Sequence, residues 1–235
     1  YKSELMMLEM LANANWERPI YMAITVGSEN RLNMDNHFIQ EGLAYRFTPF
    51  DTQKLNSTID SEKMYDNLMN KFKFGGIDKE GIYIDENVMR MCFTHRRTFV
   101  QLINQLLIEG QDDKARKALE YCEKMIPAFN VPYDYQNGSL DLAEAYYHLG
   151  DKENGDRIMD ALANKSVEYV MWYMSMGDGQ LAVSSREVQM HILMLDRYVQ
   201  LMEEYGSALH ENYSKRFNEL YTMYLTRFNI KKPQN

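Results

Sequence analysis

Two pairings near the start of the chain have the residue types for acid–base chemistry: Glu17 beside Arg18, and Glu41 five residues before Arg46. A carboxylate close to a guanidinium can act in a site, but ion pairs that perturb one another are more often structural. The expected role is therefore to fix a strand region against its neighbouring helices. His95 falls on the stripe Val88, Cys92, His95, Phe99, where a buried or hydrogen-bonded imidazole is expected. His37, His148, His191 and His210 share no metal-ligand spacing with one another or with Cys92 and Cys122. The basic cluster THRR at 94–97 fits a solvated helix face. Gly75-Gly76 and the GDG at 177–179 lack the Lys and Ser/Thr that a phosphate loop requires. No catalytic residue, metal or cofactor is assigned on this pattern. The two cysteines lie on apolar stripes and are expected to be buried, reduced thiols.

Aromatic side chains offer a different chemistry. Tyr133 and Tyr135 sit in a Pro-bounded loop that continues into Asn137-Gly138. Rings with polar tips suit contacts to sugars or peptides, so Tyr133, Tyr135 and Asn137 form the candidate binding edge. Most of the other tyrosines, Tyr146 and Tyr147 among them, fall where helix packing wants bulk.

The elements that must carry such an edge follow from composition and periodicity. The chain has 235 residues and a net charge of −8, with 45% hydrophobic and 26% charged residues. It can bury a sizeable core. Its charge repels phosphate backbones, so nucleic acid is not an expected partner. No apolar run approaches the roughly 18 residues of a membrane span; the richest, LMMLEML and YVMWYMSM, are too short. The chain begins at Tyr1 rather than Met, which suggests a fragment or a processed form of a larger protein.

Leu5, Leu8 and Ala12 predict a short amphipathic helix over 3–13. Pro19 ends any helix, and the alternation Ile20, Met22, Ile24, Val26 has a strand's period. A second strand is expected over 43–48, with a polar loop and one helical turn near 35–40 between the two. Asp60 is a good N-cap for a helix over 61–73, stopped by Gly75-Gly76.

From about residue 86 the pattern becomes helix, short turn, helix. Phe99, Leu102, Ile103 and Leu106 precede Gly110, and Ala115, Leu119 and Cys122 follow it. This predicts an antiparallel hairpin of 87–109 and 112–125. Around Gly150, Leu142, Ala143 and Tyr146 are followed by Gly155 and Met159; around Gly206, Tyr198, Val199 and Met202 lead into a long helix reaching about Phe228. The spacing resembles the tetratricopeptide repeat, with four departures. Ile103 occupies a small-residue position, Ser139 replaces an aromatic, the closing Pro of that second pair is absent, and Glu211 occupies the small position of a terminal, capping pair. The expected fold class is mainly α: tetratricopeptide-like helical hairpins in an α-solenoid over 87–235, behind a small N-terminal α/β cap over 1–86.

Several blocks extend the reading. NWERPIYMAITV at 15–26, EGLAYRFTP at 41–49, MYDNLMNKFKFGG at 64–76, IYIDENVMRMC at 82–92 and VPYDYQNGSLDLAEAYYHLG at 131–150 occur in order. Together they resemble the soluble C-terminal region of a large bacterial family of multi-spanning membrane proteins similar to protein O-mannosyltransferases, which use a lipid-linked sugar donor. In that family the catalytic carboxylates are expected in loops of the membrane-embedded part. The resemblance therefore implies a non-catalytic domain on the extracytoplasmic, periplasmic face of a bacterial inner membrane, binding a partner or acceptor protein, a peptide or a glycan. A free-standing tetratricopeptide adaptor and a periplasmic glycan-binding protein are the alternatives.

Overall fold

The computed structural model describes residues 2–55 and 57–229. The chain is mainly helical, with a small antiparallel sheet near its N-terminus. It divides into two compact units, Tyr1–Asn130 and Val131–Asn235.

The first unit opens with helix α1, Lys2–Asn13, followed by strands β1, Tyr21–Ala23; β2, Phe38–Gln40; and β3, Ala44–Phe47. The sheet order is β1-β3-β2, with Tyr21 opposite Arg46 and Phe38 opposite Phe47. The expected strand over 20–26 is shorter than its alternation allows. After Ala23 the chain turns, Val26 N–H donating to the Ala23 carbonyl; the last backbone partner across from it is Leu43, just before β3. Of the region 35–40, expected as loop with one helical turn, only 35–37 is a turn of 3₁₀ helix; Phe38–Gln40 is a strand with all three residues buried. The buried face of α1 also differs from expectation. Met7 and Leu11 pack on Phe38 and Phe47, whereas Leu5 and Leu8 are exposed.

Helix α2, Ser61–Asp66, is capped as expected: the Asp60 side chain accepts from Lys63 N–H at 3.0 Å. It continues as a π-helical turn, Asn67–Lys71. Helices α3, Glu86–Ile108, and α4, Asp112–Met125, pack against each other. Their turn closes at Gly110, whose φ of +70° suits a residue without a Cβ. Gln111 N–H donates to the Leu106 carbonyl across it. Phe99, Leu102, Ile103 and Leu106 face Ala115, Ala118, Leu119 and Cys122, all buried. The division expected at 86/87 falls inside this unit, because α2 packs on α3 and Phe74 stacks on Phe99 at 6.1 Å. Ala115 is fully buried, so Ala115→Leu overpacks the α3–α4 contact and lowers stability by about 1–3 kcal/mol in urea unfolding. An unchanged midpoint would place Ala115 away from that contact.

Cys92 and Cys122 are free, buried thiols, as expected. Burial raises the pKa of both, that of Cys122 to about 12, against the opposing influence of the Arg96 charge.

The second unit contains α5, Ser139–His148; α6, Lys152–Met174; α7, Asp178–Val183; α8, Ser185–Glu204; and α9, His210–Arg227. Helix α6 is its hub, packing on α5, α8 and α9. Gly155 occupies the expected small position: a Cβ there would come within 2.7 Å of the Tyr147 ring. Tyr147 stacks on Tyr205 at 4.6 Å, and its hydroxyl donates to Asp156 at 2.7 Å.

Candidate functional site

The loop that opens the second unit is knitted by its own polar groups. Asn137 is fully buried. Its Nδ2 donates to the Pro132 carbonyl at 2.9 Å, and its Oδ1 accepts from Ser139 Oγ at 2.5 Å. Tyr133 is also buried; its hydroxyl accepts from Arg157 at 2.7 Å. Asp134 is held by Lys165 at 2.6 Å. Of the three residues singled out in the sequence, Tyr133 and Asn137 thus point inward and shape the loop. Tyr135 is half-buried, its ring edge-on to that of His191 with the centroids 5.9 Å apart.

His191 links this loop to a row of rings that sequence reading did not assemble. It stacks on Tyr169 at 4.6 Å; Tyr169 stacks on Tyr173 at 6.3 Å; Trp172 lies 4.8 Å from Tyr173. Trp172 is 55% exposed and Tyr169 38%, so the row carries open ring surface. Burial lowers the pKa of His191, although Asp134 and Glu187 act against that, and keeps the imidazole neutral at pH 7. The available signal was the aromatic spacing in YVMWYM at 169–174, legible as an apolar run but not as a row continuing to Tyr135 and His191. Such a face can stack on sugar rings or apolar peptide side chains.

The first unit holds a charged cluster. The Glu41 side chain is 3% exposed. It binds Arg46 Nε through one oxygen; through the other it binds Lys63 Nζ at 2.8 Å and accepts from the Tyr21 hydroxyl at 2.8 Å. Burial alone would raise the Glu41 pKa, but the hydrogen bonds from Lys63, Arg46 and Tyr21 outweigh it and the net shift is downward. The contacts with Glu41 first, and then Tyr21, raise the pKa of Lys63 against the opposing influence of burial. A carboxylate held ionised by three donors is poorly suited to carry protons and well suited to fix β1, β3 and α2 together. The Glu41–Arg46 pairing is thus the structural tie expected from sequence, while Glu17 and Arg18 are exposed. Lys63 and Tyr21 were missed as partners because they lie 22 and 20 residues away along the chain. The cluster floors a cavity of about 350 Å³ walled by Leu43, Ala44, Asn67 and Phe72. Among the described residues no group of three or more His, Cys, Asp or Glu side chains could hold a metal ion.

A family model described as TMEM260-associated domain 2 matches residues 1–65. The match takes in β1, β2, β3 and the Tyr21, Glu41, Arg46 and Lys63 cluster. No curated protein and no solved structure gives a significant match. No helix among the described residues is long and apolar enough to cross a membrane.

Proposed function

We propose that the chain is a non-catalytic, extracytoplasmic accessory domain of a TMEM260-like membrane protein of the O-mannosyltransferase type, and that it holds a partner or acceptor, protein or glycan, on the aromatic face that begins at Tyr135. The match of residues 1–65 to a TMEM260-associated domain carries the reading. The helix pairs α3–α4, α5–α6 and α8–α9 fit tetratricopeptide-like hairpins, a common scaffold for partner binding. The charged cluster supports the non-catalytic part, since Glu41 is committed to three donors. The exposed rings of Tyr135, Tyr169 and Trp172 supply the binding part, with Tyr133 and Asn137 holding the loop in place.

The test uses the chain with a polyprenyl-linked sugar and candidate acceptor peptides and glycans, following transfer and binding separately. No transfer is expected, and acceptor binding weakens about 10-fold for Tyr135→Ala or Trp172→Ala, the size expected when an anchoring ring is truncated at an interface. Turnover by the chain alone refutes the accessory role. Binding indifferent to both substitutions refutes the aromatic face.

A further inference from the structure

A cavity of about 410 Å³ in the first unit opens between the sheet and α3. Helix α3 lines it with Thr94, Arg97, Thr98 and Gln101, and the sheet lines it with Gln40 and Tyr45. The four helix positions are three or four residues apart, so they share one face. A helix face turned toward a sheet is ordinarily apolar. This one is polar, although Thr98 is only 1% exposed and Gln40 only 4%. Polar side chains at that depth need partners, and the protein supplies part of what these can bond. Gln40 Nε2 donates twice, to the Gly42 carbonyl at 3.1 Å and to Gln101 Oε1 at 2.8 Å, which fixes the orientation of its amide. Its Oε1 has no partner among the described residues. Nor is that oxygen sealed in: the sealed, unpaired side-chain atoms among the described residues are Arg31 Nε and His95 Nδ1. Gln40 Oε1 is therefore an accessible acceptor on a residue that lines the cavity. Gln101 uses its oxygen on Gln40, so its Nε2 is left to donate. The hydroxyl protons of Thr94 and Thr98 go to the Arg90 carbonyl at 3.1 Å and the Thr94 carbonyl at 2.9 Å. Both hydroxyl oxygens are left as acceptors.

We propose that this cavity is a binding site for one neutral sugar residue, whose hydroxyls donate to Gln40 Oε1, Thr94 Oγ1 and Thr98 Oγ1 and accept from Gln101 Nε2. The inference does not rest on the role given above to the aromatic face, which belongs to the other unit. Hydrogen-bond polarity sets the first limit. Three acceptors with no proton to give disfavour a carboxylate or phosphate. Charge sets the second: Arg97 is the one charged side chain of the lining, and a guanidinium disfavours an ammonium. Spacing of donors sets the third. A sugar ring carries hydroxyls on adjacent carbons, whereas a peptide offers one N–H per residue. Size agrees, since a cavity of about 150 Å³ takes benzene and this one has room for a pyranose ring with its substituents. The walls are held in place before a ligand arrives. The Gln40–Gln101 bond ties the sheet to α3, and the Arg31 guanidinium, itself bound to Asp35 at 3.0 Å, lies 4.6 Å over the Tyr45 ring. A site with fixed walls needs little ordering to accept a ligand.

The probes are methyl α-mannoside, methyl α-glucoside and methyl α-galactoside, with glucuronate and glucosamine as charged counterparts. Calorimetric titration of the whole chain should give saturable binding of at least one glycoside with Kd of about 1 mM, the scale for a ligand of roughly 13 non-hydrogen atoms. Each charged sugar should bind at least about 10-fold more weakly than the best glycoside, because each leaves a charge facing groups of the wrong polarity. The side-chain amide resonances of Gln40 and Gln101 in the unaltered protein should move with the glycoside, a readout that needs no substitution. Thr94→Val keeps the shape of a half-buried position and deletes one acceptor, so affinity should fall about 5-fold. Thr25→Trp, at the exposed rim, should abolish binding by filling the mouth of the cavity. Trp172→Ala, in the other unit, should leave glycoside binding at this site unchanged, which separates it from the aromatic face. Absence of saturable binding of all three glycosides, tighter binding of glucuronate or glucosamine, glutamine amide resonances that stay still at saturation, or binding indifferent to both Thr94→Val and Thr25→Trp each overturns the proposal.

Discussion

Phe99→Ala lowers the unfolding free energy of the first unit by about 3–5 kcal/mol, the range for truncating a fully buried aromatic ring. Phe99 has no exposed surface. Its ring stacks on Phe74 at 6.1 Å and lies 6.1 Å from Tyr121, so it joins α3 to both α4 and the turn that follows α2. Phe74 cannot collapse into the space, since it is itself held against His95 and Tyr121. Urea unfolding followed by circular dichroism measures the loss, and hydrogen exchange locates it. Amides of α3 and α4 should lose protection while those of α8 and α9 keep theirs. A loss below about 1 kcal/mol, no more than a typical point substitution costs, would mean that Phe99 is not the joint between these elements.

Glu41→Gln has the second large effect, and its sign depends on pH. At pH 7 the substitution removes the carboxylate that pairs Lys63 and Arg46 and leaves two cations without their partner. Removing one member of a fully buried pair costs about 3–5 kcal/mol. Here the Lys63 side chain is 44% exposed and Arg46 30%, so water takes up part of the uncompensated charge. The expected loss is therefore about 2–3 kcal/mol, the upper range for charge-assisted hydrogen bonds. The Glu41 pKa is lowered on folding from 4.5. Its contribution is then fully present above about 4.5 and disappears as pH falls through the lower folded value. The gap between the natural protein and Glu41→Gln should be constant from pH 5 to 8 and close progressively below pH 4.5. At the alkaline end the raised Lys63 pKa acts in the opposite sense, and its stabilisation is lost as pH rises beyond 10.5. Urea midpoints of both proteins across this range measure the two windows. A gap that stays open at pH 2 would assign the loss to packing rather than charge.

Helix positions were legible in the sequence because helical packing leaves a local record. The stripe Phe99, Leu102, Ile103, Leu106 needs only 3.6-residue periodicity to be seen, and the first helix of each pair is closed by a glycine of positive φ, Gly110, Gly150 or Gly206. Gly155 and Ala115 were readable as small positions for the same reason. Short segments left no such record. Phe38–Gln40 is three residues long and buried on both faces, so no alternation marks it as a strand. In α1, one turn too few of apolar pattern left Leu5 and Leu8 as plausible core residues in place of Met7 and Leu11.

The candidate sites divide along the same line. The sequence by itself determined the residue types: a carboxylate near an arginine at 41 and 46, tyrosines in a Pro-bounded loop, a histidine on an apolar stripe. Only the tertiary structure decided what each one meets. Folding α2 back onto the sheet brings Lys63 to Glu41. Packing α8 on α6 sets His191 between Tyr135 and Tyr169 while Tyr133 and Asn137 turn inward. Packing Phe74 against α3 buries His95 Nδ1 without a hydrogen-bond partner. Periodicity reports which side of an element is apolar, because each helix or strand buries its own face. Which polar groups share that burial is set by contacts between residues far apart in the chain, and those are fixed only when the elements pack.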